Sequence, residues 1–154
     1  MTTPKEGFPL DFNLRSMEAR VQDLARMAPE LPAMILTPEF VTRTVESALL
    51  RIPLPAAVLS YDPAVHRYVV RSGAETLAAL HEFTRRGSEA RLVGGEFDLP
   101  DGWAGATFKE LPGRAKLRIL ESDLRLYQVI HDVPDALAAS LGRRMNGSLG
   151  GETA

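Results

Sequence analysis

Apolar side chains recur along this chain first at helical spacing and then at alternating spacing, and the changes of period mark out its elements. Leu14, Met17, Val21, Leu24 and Met27 fall three or four apart, with Arg15, Glu18, Arg20, Asp23 and Arg26 between them. That spacing predicts an amphipathic helix over residues 14–28, which Pro29 and Pro32 stop. Ahead of it, Phe8, Leu10 and Phe12 sit among Pro, Gly and polar residues, so residues 1–12 read as an extended arm with a few apolar anchors. Thr37-Pro38-Glu39 starts a second helix, because a threonine oxygen can cap free amides while proline in the first turn forfeits no bond. Phe40, Val41, Thr44, Val45, Ala48 and Leu49 give that helix a broad apolar stripe up to Arg51.

The period then shortens to two. An Ile52-Pro53-Leu54-Pro55 connector feeds a strand over residues 57–61, a turn at Asp62-Pro63-Ala64 and a strand over 68–71. A Ser72-Gly73 corner opens a helix over 74–86, with Leu77, Leu80 and Phe83 inward and Gly87 as its terminator. Residues 88–113 carry little regular pattern beyond a short strand over 90–93. A short helix follows Pro112, a strand over 124–131 sets Leu124, Leu126 and Ile130 on one face, and Pro134 opens a last helix with Leu137, Leu141 and Met145 four apart. Asn146-Gly147 ends it. The pattern divides into an arm and helix (residues 1–35), a main domain (36–147) and a tail (148–154).

Composition bounds the function classes. The chain has 154 residues, 45% apolar and 25% charged, which suits one globular domain with a real core. A net charge of -2 gives no global attraction to phosphate backbones. The absence of cysteine removes disulfides and thiolate chemistry and fits a reducing compartment. No window approaches the roughly 20 apolar residues of a membrane span, and the start lacks signal-peptide regions, so a soluble cytoplasmic protein is expected.

Several of these pieces, in this order, resemble the ParB-like nuclease domains of the GmrS type, from modification-dependent restriction systems. The connector Leu49-Leu50-Arg51-Ile52-Pro53-Leu54-Pro55 and the helix Leu77-Ala78-Ala79-Leu80-His81-Glu82-Phe83 carry the likeness. So do Thr107-Phe108-Lys109-Glu110-Leu111-Pro112 and the helix end Arg143-Arg144-Met145-Asn146. The resemblance covers roughly residues 36 to 147. It implies an α+β fold: a compact ParB/sulfiredoxin-like domain with a small mixed sheet flanked by helices, here preceded by an N-terminal arm and helix.

One departure bears directly on function. Where the family carries Asp-Gly-Gln-Gln-Arg, this chain reads Ser72-Gly73-Ala74-Glu75-Thr76, so only the glycine survives. The resemblance implies that this loop handles nucleotide phosphates. That work needs a carboxylate for metal or water and an arginine for phosphate, which serine, alanine, glutamate and threonine do not supply. Glu75 places a negative charge in the first helical turn, where a bound anion would want positive partners.

The candidate binding residues are therefore Arg71, Ser72 and Gly73, a vestigial phosphate corner at a helix N-terminus. The alternative reading is that Gly73 turns the corner and Ser72 caps the helix. His66, His81 and His131 are dispersed without metal-ligand spacing. Arg114, Lys116, Arg118 and Arg125, with Trp103 and Tyr127 for stacking, form the densest basic region, but Glu121 and Asp123 beside them favour a solvated, internally paired face.

The expected function is thus a non-catalytic interaction or assembly protein on a degenerate ParB-like nuclease fold, in the setting of a phage or mobile-element particle. No catalytic residue, metal or cofactor is expected. Protein partners or self-association are expected, nucleic acid is the less favoured partner, and no membrane is involved. The alternative is a nucleotide-dependent DNA-processing enzyme or its specificity subunit.

Overall fold

The computed structural model describes residues 14–94, 99–129 and 135–146, with the side chains of 135–139 left out. The elements run β1 (Leu14–Arg20), a 3-10 turn (Val21–Asp23), α1 (Leu24–Met27), α2 (Pro38–Leu49), β2 (Ala57–Asp62), β3 (Arg67–Ser72), α3 (Ala74–Thr84), α4 (Gly113–Leu120), β4 (Asp123–Val129) and α5 (Asp135–Met145). The fold is α+β, with a mixed four-stranded sheet in the order β1-β4-β2-β3. β4 runs antiparallel to β1 and parallel to β2, and β2 and β3 form an antiparallel hairpin.

The helix expected over residues 14–28 is corrected. Its first half is β1, in register with β4 from Leu14↔Val129 to Arg20↔Asp123, and only residues 24–27 form a single α-helical turn. Met17, Ala19 and Val21 alternate onto the core side, so a two-residue period lies hidden beneath the three-and-four spacing of the larger apolar residues. Pairing with a strand more than a hundred residues away overrides the local preference. The arm over 1–12, the tail over 148–154, Ile130, His131 and Pro134 lie outside the described residues.

α2 begins where expected: Thr37 Oγ1 accepts from the Phe40 N–H at 3.1 Å, and Pro38 stands in the first turn. Its buried face is rotated from the expected stripe, for Phe40 is 37% exposed while Thr42 and Glu46 are buried beside Val41, Val45, Ala48 and Leu49. α2 packs on α3, and α4 packs on α2. Leu49, Leu59, Leu77, Leu80, Phe83, Ile119 and Leu126 form the fully enclosed centre. Val58 and Val129 are buried on the sheet's other face, and α5 lies against β2 and β3.

In the segment over 88–112 the expected strand reduces to one antiparallel bridge, Arg91↔Thr107. Leu92 exchanges backbone bonds with Ala106 (3.0 Å) and Gly105 (2.7 Å). Thr42 Oγ1 on α2 accepts the Val93 N–H at 2.9 Å, and Phe108 meets Phe83 edge to face at 6.0 Å. Specific ties thus hold residues 91–93 and 105–108, which have almost no periodic pattern.

Candidate functional site: a strand-to-helix corner closed by α5

The hairpin of β2 and β3 delivers the corner with a kink. Leu59 faces Val70 and Val58 faces Ser72, so Arg71 is the extra residue of a bulge, and bulges re-aim the side chains they carry. Arg71 is exposed, and its Nε donates to Ser60 Oγ at 2.8 Å, which draws the guanidinium back along the hairpin. Gly73 follows with φ +76, a conformation that β-carbon-bearing residues resist. A Cβ there would meet the Ala56 carbonyl oxygen at 2.5 Å and the Ala57 Cα at 2.8 Å. Glycine is required both for the turn and for this approach of backbone to backbone.

Ser72 does not cap α3. Gly73 is the N-cap residue, and no side chain bonds into the first turn from that position. The Ser72 side chain instead abuts Gly142 of α5: a Cβ built on Gly142 would collide with Ser72 Oγ and lie 2.5 Å from Ser72 Cβ. Four residues on, Asn146 spans both backbone groups of Ala56. Its Oδ1 accepts the Ala56 N–H at 2.7 Å, and its Nδ2 donates to the Ala56 carbonyl at 3.0 Å. That carbonyl oxygen is the atom Gly73 approaches, so Ala56, Gly73, Ser72, Gly142 and Asn146 form one continuous junction.

The consequence for chemistry is direct. Ala74 and Thr76 in the first turn of α3 are buried, Glu75 is the exposed residue there, and α5 covers the Ser72 side of the corner. Of the three expected site residues, Ser72 and Gly73 are brought together as structural parts of a helix–sheet joint. Arg71 is directed toward Ser60. Gly142 carries no signal in the sequence, and Asn146 reads there only as a helix end, with the Arg143-Arg144-Met145-Asn146 likeness as its one signal.

The basic region is engaged internally. The Arg114 guanidinium lies 5.8 Å over the Trp103 ring, Lys116 Nζ lies 6.0 Å from the Phe108 ring, and Arg118 donates to the Leu49 carbonyl at 2.9 Å. Trp103 is buried, which removes it as a stacking platform. His66 sits 3.3 Å from the Tyr61 hydroxyl, His81 is exposed, and His131 lies outside the described residues. Among the described residues no group of three His, Cys, Asp or Glu side chains is placed to hold a metal ion. Nor is any described helix long and apolar enough to cross a membrane.

A separate groove of about 480 Å³ lies between the start of α2 and residues 89–93, with Met34, Leu36, Val41, Ala90 and Val93 on its walls beside the charged Glu82, Glu89 and Arg91. Beside it Ile35 is 98% exposed. In comparisons with protein-family models, with curated proteins and with solved structures, nothing matches this chain.

Proposed function

We propose that this chain is a non-catalytic interaction or assembly protein, built on a degenerate ParB-like nuclease fold and acting through protein partners. The observation that carries the reading is the use of the Ser72-Gly73 corner as a joint for α5. The Ser72 side chain packs against Gly142 of α5 and Arg71 bonds to Ser60, which supports reading the corner as a packing joint in place of a phosphate site. The bare apolar side chain of Ile35 beside a groove of mixed apolar and charged lining adds a surface suited to protein contact. The proposed setting is the cytoplasm or a particle assembled there, which the absence of cysteine fits.

The experiment is direct. Purified protein is assayed for hydrolysis of ATP, CTP and GTP and for equilibrium binding of each with magnesium, beside variants Arg71→Ala and Ser72→Ala. The expected result is no turnover and no binding at millimolar nucleotide. Saturable binding that Arg71→Ala abolishes would overturn the proposal and favour a nucleotide-dependent DNA-processing enzyme.

A further inference from the structure

β1 is the outer strand of the sheet, and its backbone parity follows from one bond. The Val21 N–H donates to the Ser122 carbonyl at 3.0 Å, and antiparallel partners exchange bonds at alternate residues. Arg15, Met17 and Ala19 therefore turn their backbone groups to β4, while Leu14, Ser16, Glu18 and Arg20 turn theirs outward. Arg20 confirms the parity, because its N–H is taken by Asp23 Oδ2 at 2.8 Å, outside the sheet. Among the described residues no strand pairs with this side of β1. The opposite edge differs: Glu30 lies along β3, donating to the Tyr68 carbonyl at 2.7 Å and accepting from the Val70 N–H at 3.1 Å. A trough of about 660 Å³ runs along residues 16–20, with Asp23 at its end.

We propose that two copies of this chain join through β1, antiparallel and about a two-fold axis that sets Met17 opposite Met17 of the second copy, giving one eight-stranded sheet. An unpaired row of donors and acceptors is a template for another strand. The side chains of β1 select its own copy and its register. A two-fold normal to the sheet must centre on one residue, since facing residues share a face. Centring on Arg15 or Glu18 would oppose like charges, which is unfavourable, and centring on Leu14, Ala19 or Arg20 pairs less than half of the strand.

Of the two centres left, Ser16 would set Arg15 against Met17 on the core side. Met17 instead spans all seven positions, with the Arg20 N–H kept by Asp23 and Arg15 set opposite the small Ala19, and brings two half-buried methionines together on the face that already packs against the core. It also sets Ser16 opposite Glu18, a donor facing a carboxylate. A two-fold axis uses the β1 edge of each copy once and so closes the pair, and at the opposite edge Glu30 engages the Tyr68 carbonyl and the Val70 N–H of β3.

The pairing supplies one partner for the assembly reading, and it can fail while that reading stands: a monomer that takes up a different protein would sink only the dimer. The chain contains no cysteine, so single-cysteine variants report cleanly. Facing residues that do not exchange bonds bring their Cα atoms to about 4.5 Å, within disulfide reach. Under mild oxidation Met17→Cys is expected to give covalent dimer in large excess over Ala19→Cys.

Ser16→Pro removes an outward N–H and no bond to β4, so it should halve the sedimenting mass from twice 16.9 kDa and leave the circular dichroism unchanged. A wild-type chain that sediments as a monomer at tens of micromolar overturns the proposal. So does cross-linking through Ser16→Cys in place of Met17→Cys.

Discussion

Asn146 reads Ala56 as a neighbouring strand would, taking its N–H and giving to its C=O from a single side-chain amide 90 residues away. Ala56 is fully buried, so neither group has a ready substitute. Asn146→Ala is therefore expected to destabilise the fold by about 1–3 kcal/mol in urea titration. At neutral pH Asn146→Asp should do no better, since it turns a carboxylate toward the Ala56 carbonyl, and it should recover as acid protonates that group.

Gly142→Ala tests the contact with Ser72 by its sign. Alanine improves an unobstructed helix interior by about 1 kcal/mol over glycine. Here the new Cβ meets Ser72, and a net loss of about 1–3 kcal/mol is expected. Pairing it with Ser72→Gly should return part of that loss, so a double-mutant cycle should give a coupling of about 0.5 kcal/mol or more. Strict additivity would place α5 elsewhere.

Gly73 and Gly87 separate backbone strain from collision. Their φ angles are +76 and +77, yet a Cβ on Gly87 meets nothing within 4 Å while one on Gly73 strikes Ala56 and Ala57. Gly87→Ala should cost about 1–2 kcal/mol for the left-handed conformation alone. Gly73→Ala should cost about 2 kcal/mol more than that, because the obstructing atoms are backbone and cannot rotate away. Equal losses in thermal or chemical unfolding would contradict the close approach.

Glu110 carries a pH dependence of known sign. The Thr107 hydroxyl and then the Thr107 N–H bond to its carboxylate, and Arg91 stands 3.0 Å away, which together hold its pKa below the usual glutamate range. A lowered folded-state pKa contributes stability that is present above the unfolded value and is lost as pH falls through the folded one. Thr107→Val should move the Glu110 titration upward in carboxyl NMR, and Arg91→Ala should move it less.

Much of the central architecture is legible in the sequence. The strands expected over 57–61 and 68–71 and the helix over 74–86 match β2, β3 and α3 to within two residues at each end, because proline, aspartate and glycine punctuate them unambiguously. The first element was not legible. Leu14, Met17, Val21, Leu24 and Met27 satisfy a helical period by themselves, and the small Ala19, which betrays the alternation, carries little weight in an apolar count.

The corner was located but its use was not. Its glycine announced a turn, whereas nothing local announced that Gly142 and Asn146 would be laid upon it, since contacts between residues 70 and 90 positions apart leave no periodic trace. The basic residues of α4 were similarly visible as charges and invisible as partners of Trp103, Phe108 and the Leu49 carbonyl.

The tie between Ala56 and Asn146 also sets an order of events during synthesis. The β2–β3 hairpin leaves the ribosome early, but the side chain that completes Ala56, the residue leading into it, is made last among the described elements, as is the helix that covers its corner. A nascent chain halted before α5 would hold the hairpin with the Ala56 N–H and C=O still awaiting their partner. Such a chain is expected to be a substrate for chaperones and proteases until translation resumes.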